Sequence, residues 1–126
     1  MPTLNLITNV KASRTGTIPD AKAFALEFSK LGAETLNKPE TYISVIITYN
    51  ELLTFGGTFD PAFSLRIDSL DNINREVNEV YSKTFFQFFK EKLGTAGNRG
   101  YITFIDPGRA NMGHEGVTFA TIFGEK

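Results

Sequence analysis

The stretch FSLRID, residues 63–68, decides how the chain is organised. Phe63, Leu65 and Ile67 alternate with Ser64, Arg66 and Asp68, so an extended segment here has one apolar and one polar side. That is the pattern of a strand with one face on a core. Ahead of it, LLTFGGTFDP (52–61) reads as a loop pinned by Gly56, Gly57 and Pro61. Behind it, Asp71 and Asn72 are cap candidates for a helix carrying Ile73, Val77, Tyr81, Phe85 and Phe88, with Gly94 as its stop. GYITFID (100–106) reads as a strand, PGRANMGHEG (107–116) as a Gly-rich turn, and VTFATIF (117–123) as a last short strand.

The first half follows the same plan. Thr3 to Thr8 alternates with period two and reads as a strand. Residues 11–18 form a polar loop, and Thr17, Ile18, Pro19 and Asp20 have the form of a helix start. Ala21, Phe24, Phe28, Leu31 and Thr35 then recur at helical spacing until Asn37 and Pro39 close the helix. YISVIITY (42–49) is almost continuously apolar from Ile43 to Ile47, the pattern of a strand covered on both faces. Strand–helix–strand thus occurs twice, in pseudo-repeats of about 1–60 and 61–126. The predicted fold is α+β, a single domain over 1–126 with one four-stranded sheet and both helices on one face. Helices on one face leave the other open, so a second copy of the chain is the expected cover for residues 42–48, in a closed homo-oligomer.

Composition narrows the function. Acidic and basic residues nearly balance, 14 against 13, which argues against electrostatic capture of nucleic acid or an anionic membrane. With no cysteine there are no disulfides, no thiol catalysis and no thiolate metal ligands. The single histidine, His114, excludes a multi-histidine metal site, and no metal or cofactor is expected. The N-terminus lacks the basic start and apolar run of a signal peptide, and no stretch has the length of a transmembrane helix. Twelve phenylalanines without a tryptophan imply a tightly packed core or apolar surface kept for a partner.

Pro2 carries two readings. It is an inert lead-in to a strand, since proline fixes φ and has no N–H. Alternatively, removal of Met1 leaves it with a free secondary amine, which titrates nearer neutrality than lysine and can act as a base.

Several segments, in order, carry a resemblance: MP at 1–2 with TNV at 8–10, KP at 38–39, FGG at 55–57 with DP at 60–61, YSK at 81–83, YI and FID within 101–106, and ANMG with TFA between 110 and 120. Together they resemble the macrophage migration inhibitory factor and D-dopachrome tautomerase family of the tautomerase superfamily. The extra length lies in the 11–18 loop and in a tail, Thr121 to Lys126. The resemblance implies two β-α-β repeats assembled as a homotrimer whose sheets line a central barrel. It implies that processed Pro2 is the catalytic base for keto–enol tautomerisation of aryl α-keto acids such as phenylpyruvate, and for dopachrome-type compounds.

The same resemblance implies roles for further residues. Lys38 matches a lysine that keeps the amine neutral and binds the substrate carboxylate or enolate; without the resemblance it is a solvated lysine past a helix end. Tyr101 matches a tyrosine contributed by the neighbouring subunit, and is otherwise an ordinary strand aromatic. Ser69 and Leu70 match a loop that closes one side of the pocket, and otherwise form a pre-helix turn. Met112 and Phe119 match apolar wall positions, or are simple core. Three positions depart from the family pattern. Thr103 stands where close relatives carry asparagine, and His114 stands where they carry tryptophan at the rim. AFSL (62–65) replaces the Cys-x-x-Cys of the vertebrate proteins, so no thiol-oxidoreductase activity is implied. The resulting expectation is a tautomerase of small keto or enol acids. The alternative is a cytokine-like ligand of a cell-surface receptor with a vestigial pocket. Either would be cytoplasmic or secreted without a signal peptide.

Overall fold

The computed structural model describes residues 1–11 and 20–125. The strands are β1 (Thr3–Thr8), β2 (Ser44–Tyr49), β3 (Phe63–Asp68) and β4 (Gly100–Ile105), with helices α1 (Ala21–Leu36) and α2 (Arg75–Leu93) between the members of each half. Their order in the sheet is β2-β1-β3-β4. β1 runs parallel to β2 and antiparallel to β3, and β3 runs parallel to β4. A parallel pair needs a crossover, which α1 and α2 provide.

The register explains the one-sided core. Leu4 faces Ile67, Leu6 faces Leu65 and Thr8 faces Phe63, so the buried members of β1 and β3 share one face. Against that face pack Phe24 and Phe28 from α1 and Phe85, Phe89 and Leu93 from α2. The rings interlock: Phe63 and Phe89 have centroids 4.5 Å apart, and Phe28 meets Phe89 at 5.4 Å and Phe85 edge-on at 5.9 Å. The many phenylalanines are therefore chiefly the glue between helices and sheet. The α+β expectation, with both helices on one face, holds.

Local chemistry sets the helix ends. The Asp20 carboxylate accepts from the amides of Lys22 and Ala23, and Asn37, at φ 54°, turns the chain out of α1 in the left-handed region. Asp20 thus belongs to the predicted helix start, while Thr17, Ile18, Pro19 and the rest of the 12–18 loop lie outside the described residues.

Four readings need correction. The cap of α2 is Asn74, whose side chain accepts from Val77 N, rather than Asp71 or Asn72. Asn72 is engaged elsewhere: its amide donates to Leu36 O, its side-chain oxygen accepts from Ser69 Oγ, and its carbonyl accepts from Tyr81 OH at 2.9 Å. Asp71, at φ 66°, cannot start a helix. The second strand begins at Ser44 rather than Tyr42, because Glu40–Tyr42 form a 3₁₀ turn after Pro39. The final strand is only Val117–Thr118 (β6), paired with Gly113–His114 (β5), and Phe119–Phe123 coil into a short helix, α3.

Finally, β2 is not apolar on both faces. Ile43, Val45 and Ile47 pack on the core, while Ile46, 45 % exposed, shares the open face with Ser44 and Thr48. The neighbouring strands present Thr3, Asn5, Ser64, Arg66, Asp68 and Thr103 on that side together with Ile7, Tyr101 and Ile105, and Arg66 and Asp68 pair at 3.1 Å. The open face mixes polar residues with Ile7, Ile46, Tyr101 and Ile105.

Candidate functional site

Pro2 is buried at the head of β1, and its carbonyl accepts from Ser44 N at 3.0 Å as the first rung of the β1–β2 ladder. Proline suits this position because no N–H is needed from it there. Two hollows meet at the residue before it. The first, about 280 Å³, is lined by Met1, Pro2, Tyr42, Ile43, Met112, His114 and Phe119 together with Thr3, Thr41, Ser44 and Gly113. The second, about 190 Å³, is lined by Met1, Lys38, Leu70, Asp71, Arg109 and Phe123. One hollow is walled by rings and apolar chains. The other holds the charges.

The free amine of this chain, on Met1, sits where the two join. Its pKa is lowered from 8.0 to about 6, chiefly because burial disfavours the charged form and next because of the Lys38 ammonium, with the Asp71 carboxylate pulling the other way. At pH 7 the Met1 amine is therefore mostly neutral, the state a base requires.

The ring-lined wall is a stack. His114 lies parallel to Phe119 at 5.7 Å, Phe119 stacks on Phe123 at 5.4 Å, and Tyr42 meets His114 edge-on at 6.3 Å. The His114 Nε2 is 3.5 Å from a Glu115 carboxylate oxygen. At the charged end, Arg109 donates to Asp71 from Nε at 2.9 Å and from Nη2 at 2.8 Å. Asp106 fixes the same turn by accepting from the Asp71 amide at 3.1 Å. The Asn72 contacts already described tie residues 69–72 to the end of α1, which sets Leu70 and Asp71 beside Lys38.

The sequence-predicted residues therefore divide into groups. Pro2, Met112, His114 and Phe119 share the first hollow, and Lys38 and Leu70 share the second. Ser69 is fully buried, with its hydroxyl bonded to Asn72 and its amide to Ile105 O, so it supports the loop and lines neither hollow. Tyr101 and Thr103 are remote from Pro2 within one protomer. Tyr101 pairs through Ser64 to Ile7, five residues along β1 from Pro2, or roughly 17 Å of strand plus two strand spacings. Its ring is 73 % exposed and touches Phe55 at 5.1 Å. Thr103 pairs through Arg66 to Asn5, on the open face.

Tyr42, Asp71, Arg109 and Phe123 were missed as site residues. Asp71 was visible only as a cap, and Arg109 only as a member of a Gly-rich turn. Phe123 reaches the site only because its segment is helical rather than extended.

A sequence model of macrophage migration inhibitory factor (MIF) matches residues 1–120. The chain belongs to the macrophage migration inhibitory factor family. Among MIF relatives, it is 36% identical over 119 residues to a homologue from Trichuris trichiura, covering 94% of this chain and 100% of that protein. It is 32% identical over 120 residues to the factor from Xenopus tropicalis, covering 95% and 100%. The solved structure of the factor from Trichinella spiralis superposes with a TM-score of 0.83 at 32% identity, over 93% of this chain and 99% of that one. A homologue from Prochlorococcus marinus gives 0.82 at 26% identity, over 93% and 98%. MIF membership places the chain in the tautomerase superfamily and supports a MIF-like tautomerase or cytokine. Among the described residues no helix is long and apolar enough to cross a membrane.

Proposed function

We propose that the protein is a keto–enol tautomerase of small aryl α-keto acids, phenylpyruvate-like, and of dopachrome-type compounds, with Pro2 as general base once Met1 is removed. The observation that carries this reading is the place of Pro2 next to the junction of an aromatic hollow and a lysine-bearing one, where burial and Lys38 depress the amine of the preceding Met1. The neutral Pro2 nitrogen takes a proton from the carbon beside the substrate carbonyl. Lys38 holds the carboxylate or the developing enolate oxygen, and the protonated amine then delivers the proton to that oxygen to give the enol, the reverse path giving the keto form. The aryl group lies against Met112, His114 and Phe119, with Leu70 and the 69–70 backbone closing the Lys38 side.

Tyr101 enters this reading from a neighbouring copy, because its distance from Pro2 in one protomer exceeds any side-chain reach. Thr103 comes from the same strand. The assembly is a homotrimer of 1–126 units, sheets inward and helices outward. The open face then lines the interior, and association rests on the exposed Tyr49, Leu52, Phe59 and Tyr101. No cofactor takes part. The protein acts in the cytoplasm or after export without a signal peptide.

The test compares Met1-retaining with processed protein on phenylpyruvate. Turnover confined to the processed form supports the base. Equal turnover by a form carrying an added residue before Pro2 refutes it, because an amide nitrogen takes no proton near neutrality. The second reading, a receptor-binding cytokine, is favoured by the naming of the relatives as macrophage migration inhibitory factors. Pro2→Gly separates the two: cell-surface binding kept with turnover lost would support both roles in one molecule.

A further inference from the structure

The family match ends at residue 120, yet the charged hollow takes a wall from beyond it. Phe123 lines that hollow beside Lys38 and Leu70. Its segment is held from one side chain: Arg109 Nη1 donates to Phe123 O at 3.0 Å and to Gly124 O at 3.1 Å, and the guanidinium lies 5.6 Å from the centre of the Phe123 ring. The same guanidinium is anchored on Asp71, so three nitrogens of one arginine tie the tail to the 69–72 turn. On the other flank the Phe123 ring continues the stack of Phe119 and His114. The tail is thus clasped from two directions over the Lys38 end of the site.

We infer that the tail beyond residue 120 places Phe123 as an apolar wall of the anion end, and that Phe123, clasped by Arg109, is a specificity-determining residue favouring free carboxylates. The reason is dielectric. A cation beside a carboxylate in open water contributes little, whereas the same pair shielded by a phenyl ring and Leu70 attracts more strongly. Arg109 is already committed to Asp71 and the tail, so it does not replace Lys38 as the anion partner. This inference rests on the tautomerase reading for its substrate, but the wall itself is testable without turnover.

Two variants are compared with the unaltered chain: Phe123→Ala and a chain ending at Ala120. Lysine acylation is followed by mass spectrometry, with exposed Lys22 as the internal reference for Lys38. Both variants should acylate Lys38 several-fold faster relative to Lys22. In parallel, kcat/KM is measured for a phenylpyruvate-type acid and its methyl ester. The acid should lose about tenfold and the ester little, the difference between a shielded and an exposed ion pair. Unchanged Lys38 acylation in both variants overturns the proposal whatever the turnover. Faster acylation with an unchanged acid-to-ester ratio overturns it too, since the wall would then not act on the carboxylate. If the unaltered, processed protein turns over neither compound, the tautomerase reading falls, and acylation alone decides whether the tail covers Lys38.

Discussion

Replacing Lys38 with methionine should move the N-terminal amine part of the way back toward its ordinary pKa. Methionine keeps an unbranched stem of similar bulk, so the burial of the amine is retained and only the charge is lost. In the Met1-retaining chain the amine sits at about 6 against 8.0, and burial outranks Lys38 among the causes. Lys38 is the second cause, and Asp71 offsets part of what burial and Lys38 remove, so the pKa should rise but stop short of 8.0. The sign is fixed: removing a like charge favours the protonated form, so the pKa rises in Lys38→Met. Asp71→Asn should lower it, because an opposite charge is lost and the Arg109 cation is left unneutralised. At pH 7 an amine at about 6 is about nine-tenths neutral, against about one-tenth at 8.0, so these changes alter the supply of base directly. NMR titration of a chain labelled at its first residue reads the value. No change in Lys38→Met would show that burial alone sets it. A return to 8.0 would show that burial does no more than offset Asp71. Either result refutes the assignment of causes.

Three further outcomes are expected. In the processed protein, Lys38→Ala should reduce kcat/KM for a keto acid more than for its methyl ester, and equal losses would show that Lys38 does not read the carboxylate. Light scattering at micromolar concentration should give the mass of three chains, and a monomer would remove the source of Tyr101. Gly100→Ala should destabilise the fold by about 1–3 kcal/mol in urea unfolding, the range for overpacking. Its new Cβ would lie 2.5–2.6 Å from the Phe63 ring, which is itself wedged against Phe89.

Much of the fold was legible because periodicity reports burial. Phe63, Leu65 and Ile67 announced the buried face of β3, and Phe24 and Phe28 that of α1. What stayed hidden depended on contacts distant in sequence. Asn72 has the composition of a cap, but the carbonyl of Leu36 claims its side chain, and no local pattern encodes that. Ile46 made β2 look doubly covered because a count of apolar residues does not register that Ser44 and Thr48 flank it on the strand's outer side. At the site, Pro2, Lys38, Met112, His114 and Phe119 were named through family resemblance. Their meeting around the first residue follows from the β1–β2 register and the 69–72 turn. Arg109 and Phe123 were illegible because the strand read at 117–123 is only two residues long before the chain coils.

The hydrogen bond from Ser44 N to Pro2 O has a practical use. That amide can exchange its hydrogen only when the head of β1 leaves the ladder, so its exchange rate reports whether Pro2 is seated. It does so whether or not any substrate is present. A variant that has lost turnover can then be sorted by a single amide. Protection retained means the chemistry failed in a seated site, and protection lost means the chain start came undone.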